Sequence, residues 1–341
     1  MNAIQKKIIN ISMSGEPDEL LRQLNPDYSR FVEFTFQQDE VPQECDFLIV
    51  LHRSGLKTPI QLNGLKIPKL YISLEPNEFK SEISDRFLKQ FDYVWSSDSK
   101  RLKNQTIIPT HTWWLGFKMT FVNGRHNRSL SPGFDFNYFA KKQFELPDSD
   151  RILVITTTKM IYPGHKKRAE LLEKLLNTPH VGDRIDVFGN GYKSFDDKYD
   201  LISKYKYVLI IENECKDDYW TEKLADVVLL NRCFIYVGCT NINHYFPTLM
   251  GFTFADYDDI VSRIRNNDFN NEHVSIQAKN LIMNRYNLLN QVINFVMSSD
   301  NNRMRALKIL HPNFYYMMRS NRLIRIVLKK LWLGISKVIS S

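Results

Sequence analysis

Residues 207–211 read YVLII, an apolar run with no polar interruption, and the run stops abruptly at Glu212-Asn213. A strand with one face in water alternates polar and apolar side chains. A continuous run has both faces covered, as in the parallel sheets of α/β proteins. A polar loop follows, and then a helix expected from Asp218 to Leu230, with Asp217 or Asp218 as its cap. In such sheets, ligands bind outside the carboxyl ends of the strands, where helices begin. The segment YVLIIENECKDDYWTEK therefore constrains both the fold and the position of a site.

The rest of the chain repeats this pattern. Strands are expected at Ile8–Ser12, Asp46–Leu51, Lys69–Leu74, Tyr93–Ser96 and Thr106–Ile108, with helices at Pro17–Leu24 and Asn77–Gln90. Met119–Asp150 carries turn signals (Asn123-Gly124, Ser131-Pro132-Gly133, Pro147-Asp148) and reads as irregular. The alternation restarts with strands Ile152–Thr156, Ile185–Phe188, Tyr207–Glu212 and Cys233–Val237. Helices are expected at Gly164–Leu176, Tyr257–Asn267 and Glu272–Ser298. This predicts an α/β chain of two domains with a cleft between them, divided as 1–145 and 146–298, with a tail at 299–341.

Charge is unevenly spread. Nine of the 46 Lys and Arg follow Asp300 and no acidic residue does, so the first 300 residues hold 37 cations against 38 anions. A neutral body argues against nucleic-acid binding, which needs a basic face on the folded domain. Four cysteines without a C-x-x-C pair exclude a disulfide framework and a structural zinc site. The eight His show no metal-ligand spacing, and no metal is expected. No signal peptide or apolar span of about 18 residues is visible, so a cytoplasmic location is expected.

Three places carry chemistry. In the segment after YVLII, the spacing of Tyr219, Glu222 and Lys223 puts them on one helical face. Lys223 in a first turn opposes the helix dipole, a conflict that an anionic ligand would resolve; the bland alternative is a solvated Glu–Lys pair. After strand 152–156, Gly164-His165-Lys166-Lys167-Arg168 opens a helix. Lys166 and Lys167 read as an exposed face, and Arg168 as the side chain that projects from the first turn towards the cleft. In LYISLEPNEF, Glu75 follows a strand that Pro76 cannot continue. Such a carboxylate is usually structural, yet near a sugar hydroxyl it is a natural general base. Gly189-Asn190-Gly191 has Ser194 where a dinucleotide loop needs its third Gly, and is set aside.

Taken together, Glu212-Asn213, Tyr219-Trp220-Thr221-Glu222-Lys223, Tyr236-Val237-Gly238 and the run NINHYFP resemble the signature of the α1,3/4-fucosyltransferases, glycosyltransferase family ten. Thr156–Leu175 and Glu75-Pro76 resemble further family segments. The resemblance implies a GT-B type fold of two Rossmann-like domains facing a cleft, and inverting transfer of L-fucose from GDP-fucose to a glycan hydroxyl, with no obligatory metal or cofactor. It implies that Arg168 and Lys223 hold the diphosphate and that Tyr219 bonds a phosphate oxygen. Glu222 would bind a ribose or sugar hydroxyl, Asn213 would line the same pocket, and Glu75 would take the acceptor's proton. Glu214-Cys215 and the run LNRCF depart from the family pattern, which leaves room for a related GDP-deoxysugar. The alternative of another class is a non-catalytic protein of this fold that docks on glycans or membranes.

The tail reads as an amphipathic helix. At 100° per residue, Arg322, Arg325, Lys329, Lys330 and Lys337 share an arc opposite Leu323, Val327, Leu331, Trp332 and Ile335, although Ile326 and Leu333 intrude on the basic side. A basic face opposite an apolar face bearing Trp suits the surface of an anionic membrane, here the inner leaflet near lipid-linked or lipopolysaccharide acceptors. The other reading is a helix packed back on the body. Full-length protein is expected to co-sediment with anionic liposomes at low salt, and a chain ending near Asn313 is expected not to. Equal behaviour of the two would make the tail structural.

Overall fold

The structure is a computed structural model and describes residues 6–52, 55–73, 83–97, 102–109, 113–122, 125–160, 163–299 and 307–312, the side chains of 119–128 excepted. Glu75 and the basic face of the tail lie outside these residues. Two compact units emerge: Met1–Gly15, Phe31–Thr106 and Ser299–Ser341 in the first, and Glu16–Arg30 and Ile107–Ser298 in the second.

In the described part of the first unit, β1 (Lys7–Ser12) is followed by a short helix, α1 (Asp18–Leu21), that belongs to the second unit. Then come β2 (Val32–Thr35), β3 (Phe47–Leu51), β4 (Ile60–Gln61), β5 (Lys69–Ile72), α2 (Asp85–Leu88), β6 (Tyr93–Ser96) and β7 (Gln105–Ile107). The sheet runs β2-β1-β3-β5-β6-β7, and its pairings from β2 to β6 are parallel. β3 is buried along its whole length, as its FLIVL run requires.

Besides α1, the second unit contains an antiparallel ribbon, β8 (Phe117–Val122) and β9 (Arg125–Leu130), and a helix, α3 (Phe136–Lys141). Its sheet contains β10 (Ile152–Ile155), β11 (Ile185–Phe188), β12 (Tyr207–Ile211), β13 (Cys233–Val237) and β14 (Gly251–Phe252), in the order β11-β10-β12-β13-β14 and parallel throughout. The helices are α4 (Pro163–Leu176), α5 (Lys198–Ser203), α6 (Glu222–Leu229), α7 (Ile242–Tyr245), α8 (Tyr257–Arg265), α9 (Glu272–Asn280) and α10 (Leu288–Ser298). A π-helical turn, Leu281–Arg285, separates α9 from α10 where one helix from 272 to 298 was expected. The buried Asn290 side chain donates to the Met283 and Asn284 carbonyls of that turn. This supplies partners that the wider turn leaves open.

Side chains of β12 alternate between two cores. Tyr207, Leu209 and Ile211 pack with Leu171, Leu172 and Leu175 of α4 and with α8. Val208 and Ile210 pack with α6, Trp220 and the π turn. Both faces are covered, which accounts for the unbroken apolar run. The next residue on the α6 face is Glu212.

The division differs from the expected boundary at 145, and the irregular reading of 119–150 is corrected as well. Trp113, Leu115, Phe136, Phe139 and Phe144 all join the α6-side core of the second unit. Gln23 donates to the Trp113 carbonyl and accepts from its N–H, and Arg22 donates to the carbonyls of Trp113 and Phe134. The β9 sequence RHNRSL has no apolar alternation, so its pairing with β8 leaves no hydrophobic trace in the sequence. Part of the expected tail also returns to the first unit, where Ile309–Leu310 pairs antiparallel with β4. Among the described residues, no helix is long and apolar enough to cross a membrane.

Candidate donor-binding site

The second sheet reverses its winding between β10 and β12, the first strand and the third, and a ligand crevice forms outside the carboxyl ends at such a switch point. Arg168 spans it. From α4, the buried guanidinium donates through Nη1 to Asn213 Oδ1, beyond the end of β12. Through Nη2 it donates to the Thr157 carbonyl, beyond the end of β10, at 3.1 Å. Arg168 lies in the second turn of a helix that begins at Pro163, deeper than the first-turn position expected for it. Lys166 and Lys167 are exposed, and Lys166 stands 3.8 Å from Glu170, the ordinary surface pair of a helix.

The loop after β11 comes against the same edge. The Gly189 backbone adopts φ +125°, and a Cβ there would stand 1.9 Å from the Thr156 carbonyl oxygen. Gly189 thus permits two strand ends to approach, a role unrelated to a dinucleotide loop.

Helix α6 starts later than expected, at Glu222, and its cap is Thr221, whose hydroxyl accepts from the Lys223 N–H at 3.3 Å. The expected caps serve the preceding loop. Asp218 has φ +60°, a left-handed conformation that Asp tolerates better than most residues. It exchanges hydrogen bonds with Asn241: its N–H donates to Oδ1 at 2.9 Å, and its Oδ1 accepts from Nδ2 at 2.9 Å. Its carboxylate also accepts from the Tyr245 hydroxyl. The loop is tied in this way to the NINHYFP segment, 23 residues further on. Tyr219 is therefore a buried loop residue, not part of the α6 face, and the Lys216 ammonium lies 5.2 Å from its ring centre.

Glu212 is the residue that sequence reasoning passed over. It is fully buried, and its carboxylate accepts from the Thr221 N–H at 2.9 Å and from the Thr221 hydroxyl. Lys223 Nζ stands 3.3 Å from Glu212 Oε2 and 3.3 Å from Glu222 Oε1. The Lys223 conflict with the helix dipole is thus met inside the protein by two carboxylates. Burial pushes the Glu212 carboxyl up, against the pull of the Lys223 ammonium. Burial also disfavours the charge on Glu222, yet Lys223 and Lys198 hold its carboxyl below the ordinary value. Lys223 is desolvated as well, and the two glutamates more than offset this and raise its amine. Its side chain keeps 21% of its surface in solvent.

Gly238 closes the arrangement. A Cβ there would stand 2.6 Å from Glu212 Cγ and 2.6 Å from the Tyr236 hydroxyl. Tyr-x-Gly is therefore a packing requirement around the buried carboxylate. The charges reach one another across the site. Burial lowers the Arg168 guanidinium, which Glu212 and Tyr219 partly restore. Burial lowers the His165 imidazole, and the Arg168, Lys223 and Lys159 cations lower it further. Arg168, Asn213, Tyr219, Glu222 and Lys223 therefore assemble at one sheet edge. Chemically, this edge offers two cations, Arg168 and Lys223, and the partly exposed carboxylate of Glu222. Among the described residues, no group of His, Cys, Asp and Glu could hold a metal ion.

Residues 153–263 match the family described as Glycosyltransferase family 10 (fucosyltransferase) C-term. A fucosyltransferase-like protein of Arabidopsis thaliana is 25% identical over 149 residues, 40% of this chain and 28% of that protein. The match thus spans under a third of the relative's length. A solved alpha1,3-fucosyltransferase with GDP is similar over 88% of this chain and 92% of its own, at 14% identity and TM-score 0.49. A trehalose-6-phosphate synthase, OtsA, is similar over 76% and 73%, at 11% identity and TM-score 0.45.

Glu212→Ala would leave Lys223 without its buried partner and Thr221 without its acceptor. The expected cost is about 3–5 kcal/mol of unfolding free energy. Glu212→Gln, which keeps an acceptor for the Thr221 N–H, should lose less. Denaturant titration of the three proteins checks this, and equal midpoints would show that the carboxylate is not structural.

Proposed function

We propose that this chain, a glycosyltransferase whose residues 153–263 form a family 10 (fucosyltransferase) C-terminal domain, moves L-fucose from GDP-fucose to a glycan hydroxyl with inversion. The observation that carries the reading is Arg168 bonded to both strand ends at the switch point, with Lys223 at the start of α6 on the same edge. A sugar-diphosphate leaving group develops negative charge as its bond to the sugar breaks. Fixed cations placed there stabilise the transition state more than the ground state. Arg168 offers a planar guanidinium, and Lys223 a point charge beside it.

Glu222 is 27% exposed and Glu212 is fully buried, so the two carboxylates on Lys223 play different parts. On donor binding, Glu222 turns from Lys223 to a ribose or sugar hydroxyl, and the ammonium becomes available to the diphosphate. Glu212 stays and keeps the ammonium aimed. Tyr219 bonds a phosphate oxygen, and Asn213, held by Arg168, lines the pocket. Glu75 serves as the base that takes the acceptor's proton, an assignment that rests on its resemblance to the family element. The acceptor is a surface glycan such as lipopolysaccharide or O-antigen, and the tail at 320–339 brings the enzyme to the inner leaflet.

Two experiments test this. Arg168→Ala and Lys223→Ala should each weaken GDP binding, measured by titration calorimetry, by the roughly 1.5–3 kcal/mol of a charged hydrogen bond. Turnover of GDP-fucose by the unaltered protein should survive chelators; loss with EDTA and recovery with manganese would require a metal mechanism instead. Separately, Glu75→Gln should keep GDP-fucose affinity while transfer falls by about 10²-fold or more. Transfer near the original rate would remove Glu75 from the mechanism. Competing GDP-deoxysugars in the same assay fix the donor sugar.

A further inference from the structure

The amino edge of the second sheet carries a feature that the donor site does not use. A groove of about 630 Å³ lies between α3, the Asn25–Asp27 turn and the stripe Glu272, Ile276, Lys279, Met283 of α9 and the π turn. Six carboxamides line it: Asn25, Asn137, Gln143, Asn231, Asn280 and Asn284. Asn231 immediately precedes Arg232 and β13, whereas the donor residues follow the carboxyl ends of β10 and β12. The two sites thus occupy opposite edges of one parallel sheet.

One cation of this groove is buried without an acid. Lys279 is 9% exposed and lines the groove; its ammonium donates to the Lys142 carbonyl at 2.9 Å and lies 5.2 Å from the centre of the Phe144 ring. Arg232, which is not part of the lining, is 2% exposed, donates to the Leu230 and Glu145 carbonyls and feels the Glu272 carboxylate. No carboxylate stands within 4 Å of either cation among the described residues. Burying a charge without a counter-charge is costly, and the cost is recovered when an anion arrives. Burial alone brings the Lys279 amine down to about 8. Asn231, 3% exposed, lines the groove with its Oδ1 lacking a donor. Asp27 and Glu272 share the lining, which disfavours a polyanion and suits one anionic group among hydroxyls.

We propose that this groove binds an anionic saccharide, a sugar bearing one phosphate or carboxylate. The anion meets Lys279 and the exposed Lys142, and the sugar hydroxyls meet the carboxamides, each of which both donates and accepts. The proposal does not rest on the donor reading. It is tested by calorimetry on the full chain saturated with GDP, using glucose 6-phosphate, glucuronic acid, glucose and inorganic phosphate as separate probes.

One or both anionic sugars should bind, the stronger naming the anion, with glucose and inorganic phosphate at least about tenfold weaker. Lys279→Met should lower the affinity at least about tenfold. The exposed Lys142→Ala and Asn284→Ala, which leave the core intact, should each lower it severalfold with GDP affinity unchanged. Failure of both anionic sugars to bind, displacement of the bound sugar by GDP, phosphate binding as tightly as the sugars, or wild-type affinity in all three variants would each overturn the proposal.

Discussion

Everything at the carboxyl edge of the second sheet depends on one carboxylate buried where β12 ends. Glu212 continues the inward alternation of Val208 and Ile210, so the chain delivers an acid into the core formed with α6. An isolated charge could not remain there. Thr221 and Lys223, the cap and the first turn of α6, supply the donors, and Gly238 supplies the space. The helix start, its lysine and the strand end are consequently fixed relative to each other before any ligand is present. Such fixed polar groups cost little to organise when charge develops beside them.

The same constraint explains why a signature is spread over forty residues instead of sitting in one loop. Glu212 needs Thr221 and Lys223 on one side and Gly238 on the other. Asp218 needs Asn241 and Tyr245, which set the loop carrying Tyr219. Each pair is distant in sequence and adjacent in the fold, so the pattern reads as scattered residue pairs. Cys215 and Cys239 sit among these residues, and burial pushes their thiols up to about 12 and about 11, which makes them packing residues and not nucleophiles.

The buried strands were legible because period-two burial on both faces writes an unbroken apolar run; Ile185–Phe188 and Cys233–Val237 have their expected bounds. Arg168 and Lys223 were legible because a cation near a helix start is a local anomaly. Glu212 was not, since nothing local distinguishes a buried acid at a strand end from a solvated one. Its partners follow nine and eleven residues later, across a loop. The ribbon β8–β9 and the transfer of residues 16–30 to the second unit were also illegible. The first rests on backbone pairing, and the second on Arg22 and Gln23 reaching carbonyls some ninety residues away. Asp226 has the same character: it is fully buried in α6, accepts from the Trp114 N–H at 2.6 Å and pairs with Lys198.

The two edges of this sheet handle buried cations in opposite ways, and the difference bears on what each can bind. At the carboxyl edge, Lys223 has two carboxylates, one fixed and one partly exposed. In the proposed reading, an arriving diphosphate would replace Glu222 instead of meeting a bare charge, so binding would be an exchange whose net gain is moderate. A moderate gain suits a leaving group that must depart after each turnover. At the amino edge, Lys279 has a carbonyl and a ring but no acid within 4 Å among the described residues. No carboxylate bonded to Lys279 must be displaced there, so in the proposed reading an anion would gain that interaction, less its own desolvation and the repulsion of Asp27 and Glu272. An exchange site fits turnover and an uncompensated site fits retention. One parallel sheet, with strand ends on one side and strand starts on the other, supplies both.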